Sequence, residues 1–293
     1  MSNRYLIVNA DDFGVCKETN DAVEHLFNEG RITSTTVMAP SREAKDAVRR
    51  AVNNKKVNMG LHITLNSDYE YERWRSIAPP SSVSSILDDK GRLFHDVSLF
   101  YKGARGDEVS TEINAQYDFV TSLGYTLDHA DSHCGTVYGI TGRPFLKEAF
   151  ELCVKYHLPF RFPKGDGYIK EMFKGGAIPY EIDKAHKMAA AFAQKMGVHV
   201  LSDMFTSQSR VRDLGSYENL KKYYINEIRN IKEGITEMFL HPSGFSKEHM
   251  EASPEWRKRM WEYQFLMDDD FLKTVQQEGI NLVSWSTAPF DKF

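Results

Sequence analysis

Short apolar runs alternate with longer amphipathic stretches along this chain, and few folds accommodate that alternation. The run YLIVNA at residues 5–10 predicts a strand, NDAVEHLFNEG at 20–30 predicts a helix that ends at Gly30, and STTVMA at 34–39 predicts the next strand. Seven or eight strand-then-helix units of this kind follow one another. Such repetition predicts a parallel sheet whose strands are joined by helical crossovers.

Two α/β architectures share this pattern. The length of 293 residues suits a TIM-barrel-like (β/α) barrel of seven or eight parallel strands, and this is the fold class that we predict. A doubly wound open sheet has the same periodicity, so periodicity alone does not separate the two. No linker rich in Pro, Ser or Gly divides the chain, which predicts a single domain over residues 1–293.

A long insertion at about 66–106 interrupts the alternation and carries no clear long element. Insertions of this length are often lids or binding loops over a site. A plain excursion over the surface explains the same sequence equally well, so both interpretations stay open.

Composition limits the classes of partner. Hydrophobic residues make up 41% of the chain, and the formal net charge is -4 with both signs well mixed, which argues against a nucleic-acid partner. No stretch is long and apolar enough to span a bilayer. The three cysteines form no C-x-x-C pair, and the N-terminal MSNRYLIVNADD lacks a signal segment. We therefore expect a cytoplasmic protein that acts on a small molecule; barrels of this kind commonly pair, which leaves a homodimer open.

Four apolar runs end in residues that bind metals or move protons. They are NADDFG, with Asp11 and Asp12; MGLHITL, with His62; LDHADSHCG, with His133; and EMFLHPSG, with His241. The carboxyl ends of the strands form the active-site mouth of an α/β barrel. We therefore expect these side chains to meet in one site.

The adjacent carboxylates Asp11 and Asp12 raise a question of geometry. Side chains alternate faces within a strand, so both can reach one site only where the backbone turns, and Gly14 eases such a turn. Like charges at close range are costly unless a cation lies between them. A divalent metal ligated by one Asp, with the other acting as base, would explain the pair. An Asp that caps the next helix beside a solvated neighbour is the alternative.

The histidines differ in how strongly they indicate a ligand. A lone histidine in an apolar strand, such as His62, is more often a packed core residue. His133 is a stronger candidate for a metal ligand, because Asp131 is near enough in sequence to orient its ring. His129 lies four residues earlier, but in a strand that spacing places the two rings far apart. His241 precedes a proline and could simply be a strand-end turn residue.

One carboxylate and two imidazoles would leave coordination positions for water and substrate, as in a catalytic metal site. This ligand set favours zinc or another late divalent ion over magnesium, which prefers oxygen ligands. The cysteines lack ligand spacing. Cys134, next to His133, remains a rival as a nucleophile.

The segments LIVNADDFG, MGLHITL, DHADSHCG, FRFP and MFLHPSG occur in the order seen in YdjC-like carbohydrate deacetylases, and the chain resembles this family from its N-terminus to about Ser243. The resemblance implies a barrel-like α/β fold. It also implies removal of an acetyl group from an N-acetylated sugar of the chitooligosaccharide type. Hydrolysis of another amide or a phosphoester, and a non-catalytic sugar-binding barrel, are the alternatives.

The resemblance also implies roles for individual residues. Asp12, His62 and His133 would hold one divalent metal ion; the ligand types favour zinc, and the family resemblance keeps magnesium as an alternative. Asp11 would be the general base, and His241 the acid that protonates the departing amine.

Further residues would contact substrate. Arg161 of FRFP would bind substrate or orient Asp11. Tyr69, Tyr71 and Trp74 in the long insertion would line the sugar pocket or anchor the insertion to the barrel.

Two departures from the family pattern stand out. The run after DSH is Cys134-Gly135 where relatives often carry a further histidine, and Ser243 follows the HP pair where HPG is common. The first departure touches the substrate pocket and bears on specificity. Neither removes an expected metal ligand.

Overall fold

The computed structural model describes residues 3–67, 69, 73–140, 142–173 and 175–293. The strands are β1 (Arg4–Phe13), β2 (Ser34–Val37), β3 (Met59–Ile63), β4 (Ala130–Ser132), β5 (Phe160–Pro163), β6 (Val200–Leu201), β7 (Asp203–Phe205), β8 (Gly234–Leu240) and β9 (Asn281–Leu282). The helices are α1 (Lys17–Asn28), α2 (Ala44–Asn53), α3 (Val97–Gly103), α4 (Gly106–Ser122), α5 (Leu146–Tyr156), α6 (Gly167–Met172), α7 (Tyr180–Met196), α8 (Val211–Leu214), α9 (Tyr217–Arg229), α10 (Lys247–Ala252), α11 (Trp256–Met267) and α12 (Asp269–Gln277).

Eight of these strands pair side by side, all in parallel, in the order β6-β5-β4-β3-β2-β1-β8-β7. The two ends of this path meet, because only Ser202 separates β6 from β7. Its amide donates to the carbonyl of Ile235 in β8, and its carbonyl accepts from Gly165 just after β5, both at 2.8 Å. The sheet is therefore a nearly closed barrel, and the predicted TIM-barrel-like (β/α) fold is confirmed.

The strands are apolar because helices cover them from outside and side chains fill the barrel from inside. All seven residues of β8 are buried, as are eight of the ten in β1. The helices bury one face each. In α2 that face consists of Ala44, Ala47, Val48 and Ala51, at the spacing of a helix with one side against a core.

Two predicted elements have different bounds in the structure. The apolar run VHVLSDMF predicts one strand, but it forms two short ones, because the chain bends at Ser202 to pair with different neighbours. The polar sequence at 252–278 predicts one long helix over much of this segment, but the structure has two helices there, α11 and α12. Asp268 separates them, because its side chain accepts a hydrogen bond from the amide of Asp270 and caps the second helix.

The insertion at 66–106 packs onto the barrel. It contains α3, short 3-10 turns and an isolated bridge between Leu87 and Leu93. Trp74, Ile86 and Phe100 are buried in the main hydrophobic core. The insertion is therefore part of the wall around the barrel mouth rather than a loose surface excursion.

Among the described residues, no helix combines the length and apolar character needed to cross a bilayer.

Candidate active site

The end of β1 departs from regular strand geometry at the paired carboxylates. Pairing with β2 shifts register between Ala10 and Phe13, and Asp12 has a positive φ of 67°. Aspartate tolerates this left-handed conformation better than most residues. The irregularity breaks the alternation of faces. As a result Asp11 Oδ2 and Asp12 Oδ1 lie 4.0 and 3.4 Å from the same atom, Nε2 of His62.

Asp12, His62 and His133 converge in the barrel mouth. Asp12 Oδ1 lies 3.4 Å from both His62 Nε2 and His133 Nδ1, and the three side chains are buried. Ligands about 2.1 Å from a tetrahedral zinc ion would lie roughly 3.4 Å apart. Asp12 Oδ1 has no hydrogen-bond partner, which is costly for a buried carboxylate oxygen. A cation held between the three atoms would satisfy it, so these residues fit a metal ion.

His62 is oriented by an acid on the neighbouring strand. Its Nδ1 donates to Asp131 Oδ1 at 2.6 Å, which leaves Nε2 facing Asp12. The expectation that Asp131 orients His133 is wrong, because β3 and β4 pair in a register that sets His62 against Asp131. Burial disfavours the charged ring, but the carboxylates of Asp131, Asp12 and Asp11 raise the pKa of His62 to about 9.

Asp11 is fixed by a buried arginine. Arg161 donates from Nη1 to Asp11 Oδ2 at 2.7 Å and from Nη2 to Oδ1 at 2.8 Å, and Asn9 donates to Oδ1 at 2.8 Å. Burial alone would raise the pKa of Asp11, but the Arg161 guanidinium lowers it to about 2. Arg161 is only 2% exposed. Its contacts therefore favour orientation of Asp11 over direct contact with substrate.

The centre of the barrel contains more negatively charged than positively charged side chains. Four buried carboxylates surround two guanidinium groups: Asp11, Asp12, Asp131 and Glu237, with Arg161 and Arg259. Burial raises the pKa of Glu237 in spite of Arg161, and a proton on His62 offsets part of the excess. A divalent cation would supply the missing positive charge, so that neither Glu237 nor His62 would need to be protonated.

His241 follows β8 and lines the open side of the site. Its Nε2 lies 3.9 Å from Asp11 Oδ2, and its side chain is 34% exposed. Its amide donates to Glu262 Oε2 at 2.7 Å, which fixes the backbone at the end of the strand. Burial lowers the pKa of His241, although Asp12 and Asp11 oppose that effect. The ring is therefore mostly neutral at neutral pH.

Two of the three expected aromatic residues, Tyr69 and Trp74, lie beside the site. The ring of Trp74 packs edge-on against His133 with centroids 5.8 Å apart, and it is 6% exposed. The hydroxyl of Tyr69 hydrogen-bonds His249 Nδ1 at 2.9 Å, and Tyr69 also lines the cleft. Tyr71 lies outside the described residues. Trp74 thus supports a candidate ligand and offers little free ring surface to a sugar.

Two other side chains of the DHADSHCG segment, His129 just before β4 and Cys134 just after it, have different surroundings. Cys134 is exposed in the cleft, with Sγ 3.4 Å from His133 Nε2. His129 stacks on Trp285 with ring centroids 4.6 Å apart and bonds Asp128, so it stands apart from the candidate ligands.

A cleft of about 500 Å³ opens beside these residues. His241, Cys134 and Arg259 line it together with residues of the insertion and of α11. Its volume falls within the range of roughly 300–1,000 Å³ typical of small-molecule sites. A substrate in this cleft would reach His241 and the edge of the Asp-His-His cluster.

Several residues of the site carry weak signals in the sequence. Glu237 is charged within the apolar run ITEMFLH, and Arg161 is charged within FRFP, so their pairing could have been suspected. Arg259 and Glu262 belong to a helix in which polar and apolar residues are not separated into two clear faces. Nothing in that pattern indicates which charges face the site.

Fold and site together define a class: (β/α) barrels with a buried Asp-His-His cluster that could hold a metal ion at the carboxyl ends of the strands. The chain belongs to the YdjC-like protein family, whose model matches residues 5–277. The family resemblance seen in the sequence is thereby confirmed.

Individual relatives match over almost the whole chain. A carbohydrate deacetylase of Thermoanaerobacter pseudethanolicus is 26% identical over 97% of this chain and 98% of its own length. A chitooligosaccharide deacetylase of Yersinia enterocolitica is 28% identical, again over 97% and 98%. A crystal structure from Enterococcus faecalis V583, of a protein proposed to cleave cellobiose phosphate, has a TM-score of 0.78 at 25% identity and covers 98% of this chain and 99% of that one.

Proposed function

We propose that this protein is a metal-dependent hydrolase that removes the acetyl group from an N-acetylated sugar or oligosaccharide of the chitooligosaccharide type. The observation that carries the proposal is Asp12 Oδ1, which is buried 3.4 Å from a nitrogen of each of two imidazoles and makes no hydrogen bond of normal geometry. Asp11 and His241 beside it provide groups that accept and donate protons. The relatives named as carbohydrate and chitooligosaccharide deacetylases support the substrate class.

Asp12, His62 and His133 would hold one divalent cation. Two imidazole nitrogens and one carboxylate oxygen favour zinc, with magnesium as the alternative. When bound, the cation polarises the amide carbonyl and makes water more acidic.

Asp11 acts as the general base. Its bidentate pairing with Arg161 fixes the carboxylate plane so that Oδ2 faces the site. With a pKa of about 2 the group is ionised at neutral pH, so it is ready to accept a proton from the attacking water. The water oxygen then forms a bond to the acyl carbon.

His241 acts as the general acid. Amines leave poorly unless they are protonated, so the sugar nitrogen must gain a proton as the C–N bond breaks. The neutral ring of His241 is the next base beside Asp11, since its Nε2 lies 3.9 Å from Asp11 Oδ2. The same proton therefore passes from Asp11 to His241 and then to the nitrogen. The products are acetic acid and the amine, which become acetate and the ammonium form at neutral pH.

The test uses N,N′-diacetylchitobiose and p-nitrophenyl phosphate, each with and without a chelator. We expect release of acetate that the chelator abolishes and that added zinc restores. Release of phosphate instead would indicate a phosphoesterase. Binding of the sugar without release of either product would indicate a non-catalytic sugar-binding barrel, and both results contradict the proposal.

Alanine at the candidate ligands should remove the metal. Because each of Asp12, His62 and His133 would contribute one of three protein ligands, each variant should lose most of its bound metal and its activity together. Elemental analysis of purified protein measures the loss. Glu237→Gln is the matched control, since it changes the same buried cluster without touching a candidate ligand. Full metal occupancy in all three ligand variants would refute the assignment.

The His241→Ala variant should lose activity selectively. Loss of an acid commonly costs about 10²–10⁴-fold in rate. We expect a loss of that size for the acetamide substrate and a much smaller one for p-nitrophenyl acetate, whose leaving group needs no proton. Parallel kinetics on the two substrates measure the difference. Equal losses on both would contradict the role of acid.

A further inference from the structure

The two oxygens of Asp12 have different partners. Oδ1 lies 3.4 Å from His62 Nε2 and from His133 Nδ1, whereas Oδ2 accepts a hydrogen bond from Arg259 Nη2 at 2.6 Å. A carboxylate with both oxygens free can chelate a cation with both. Here Oδ2 already accepts a hydrogen bond from Arg259, so that only Oδ1 is available to a cation.

We propose that Arg259 is a positioning residue that confines Asp12 to a single ligand oxygen. This inference rests on the proposed function, since it presumes that a cation binds at Asp12. It concerns a residue of α11 that belongs to none of the sequence motifs of the site.

The ion pair between Arg259 and Asp12 differs from an ordinary surface pair. The Asp12 side chain is 2% exposed, and the Arg259 side chain 21%. Exposed pairs contribute little because water screens them, whereas removal of one partner from a buried pair leaves an uncompensated charge. Because the Asp12 end of the pair is buried, its hydrogen bond to Arg259 keeps Oδ2 turned away from the two imidazoles.

Arg259 is itself held in place by the surrounding backbone. Its carbonyl accepts a hydrogen bond from the amide of Ser243 at 3.2 Å, in the turn that follows His241. Three residues further along the same helix, Glu262 accepts from the amide of His241 at 2.7 Å. Residues three apart lie on neighbouring faces of a helix, so α11 contacts both the candidate ligand and the candidate acid.

The restriction has chemical consequences. With Asp12 limited to Oδ1, the protein supplies three ligand atoms and leaves further coordination positions for water and substrate. The positive charge of Arg259 also weakens the attraction of the site for a cation. Removing Arg259 should therefore strengthen metal binding while altering the coordination geometry.

The experiment follows cobalt(II) binding to metal-free protein, because the visible absorption of cobalt(II) is strong in four-coordinate sites and weaker at higher coordination numbers. We expect Arg259→Met to bind cobalt(II) at least about tenfold more tightly and with weaker absorption per bound ion than the wild type. Arg259→Lys retains the charge and a donor, so its spectrum and affinity should stay close to those of the wild type.

Arg257→Met is the matched control, because Arg257 lies on the same helix and packs over the Trp256 ring, away from Asp12. It removes the same charge and should leave the spectrum unchanged. An Arg259→Met protein with wild-type spectrum and affinity would overturn the inference while leaving the proposed function intact. A wild-type protein that binds no cobalt(II) or zinc would overturn both.

Discussion

The Asp11→Asn variant should turn over N,N′-diacetylchitobiose roughly 10²–10⁴ times more slowly than the wild type while retaining its metal. Asn has nearly the shape of Asp but cannot accept the proton of the attacking water. Asp11 Oδ2 lies 4.0 Å from His62 Nε2 and 3.9 Å from His241 Nε2, so it is placed between the candidate metal ligands and the candidate acid. Initial rates and metal content, measured on the same preparation, test the prediction.

The control for this prediction separates chemistry from disturbance of the buried network. Glu237 accepts hydrogen bonds from Arg161, as Asp11 does, with Arg161 Nε to Glu237 Oε2 at 2.6 Å. Glu237→Gln therefore disturbs the same arginine without removing the base, and it should cost far less activity. If both variants lose activity equally, the effect of Asp11 comes from the network. Wild-type turnover in Asp11→Asn would rule out its role as base.

The barrel could be predicted because its signal is repeated along the chain. Each strand is a short apolar run followed by an amphipathic helix, and several such units indicate a parallel sheet even when single bounds are wrong. Barrel closure was harder to predict, because it depends on Ser202, which hydrogen-bonds both Ile235 in β8 and Gly165 just after β5. That contact is a single residue between β6 and β7, and no periodicity marks it.

The candidate ligands could be proposed because each follows an apolar run, but their partners depend on register. Asp131 orients His62 because β3 and β4 pair with those residues side by side. Distance along the chain instead suggests His133, two residues away from Asp131. Register across strands that are 69 residues apart is set by packing of the whole barrel, which sequence patterns do not express.

Arg259 illustrates a second limit. It lies 247 residues after Asp12, in a helix without a clear apolar face, and α11 packs against the turn at Ser243. A charge on such a helix is usually solvated. Only the folded chain shows that this one reaches a buried carboxylate.

The largest effect on stability should follow from removal of Arg161. Its guanidinium contacts three carboxylates, those of Asp11, Asp131 and Glu237, at distances of 2.6–2.8 Å, and all four side chains are at most 3% exposed. Breaking a buried ion pair on one side costs about 3–5 kcal/mol, because the remaining charge stays buried without a partner. We expect the free energy of unfolding of Arg161→Met, measured in urea, to fall by at least that amount. Lys147→Met, which breaks an exposed pair with Glu151, should change it by less than about 0.5 kcal/mol.

The pH dependence of this loss identifies its cause. In the wild type Arg161 lowers the pKa of Asp11 from 3.8 to about 2, so Asp11 stabilises the fold above pH 3.8 and that contribution is lost as the pH falls through 2. In Arg161→Met the main opposition to burial is removed, so the pKa of Asp11 rises and its protonation stabilises the variant at a higher pH than in the wild type. The difference in stability between the two proteins should therefore be widest near neutral pH and should narrow in acid. A difference that is constant with pH would mean that Arg161 stabilises the barrel through packing of its side chain and not through its charge. Partial recovery in the double variant Arg161→Met, Glu237→Gln would support the electrostatic cause, because it removes one of the unpaired acids.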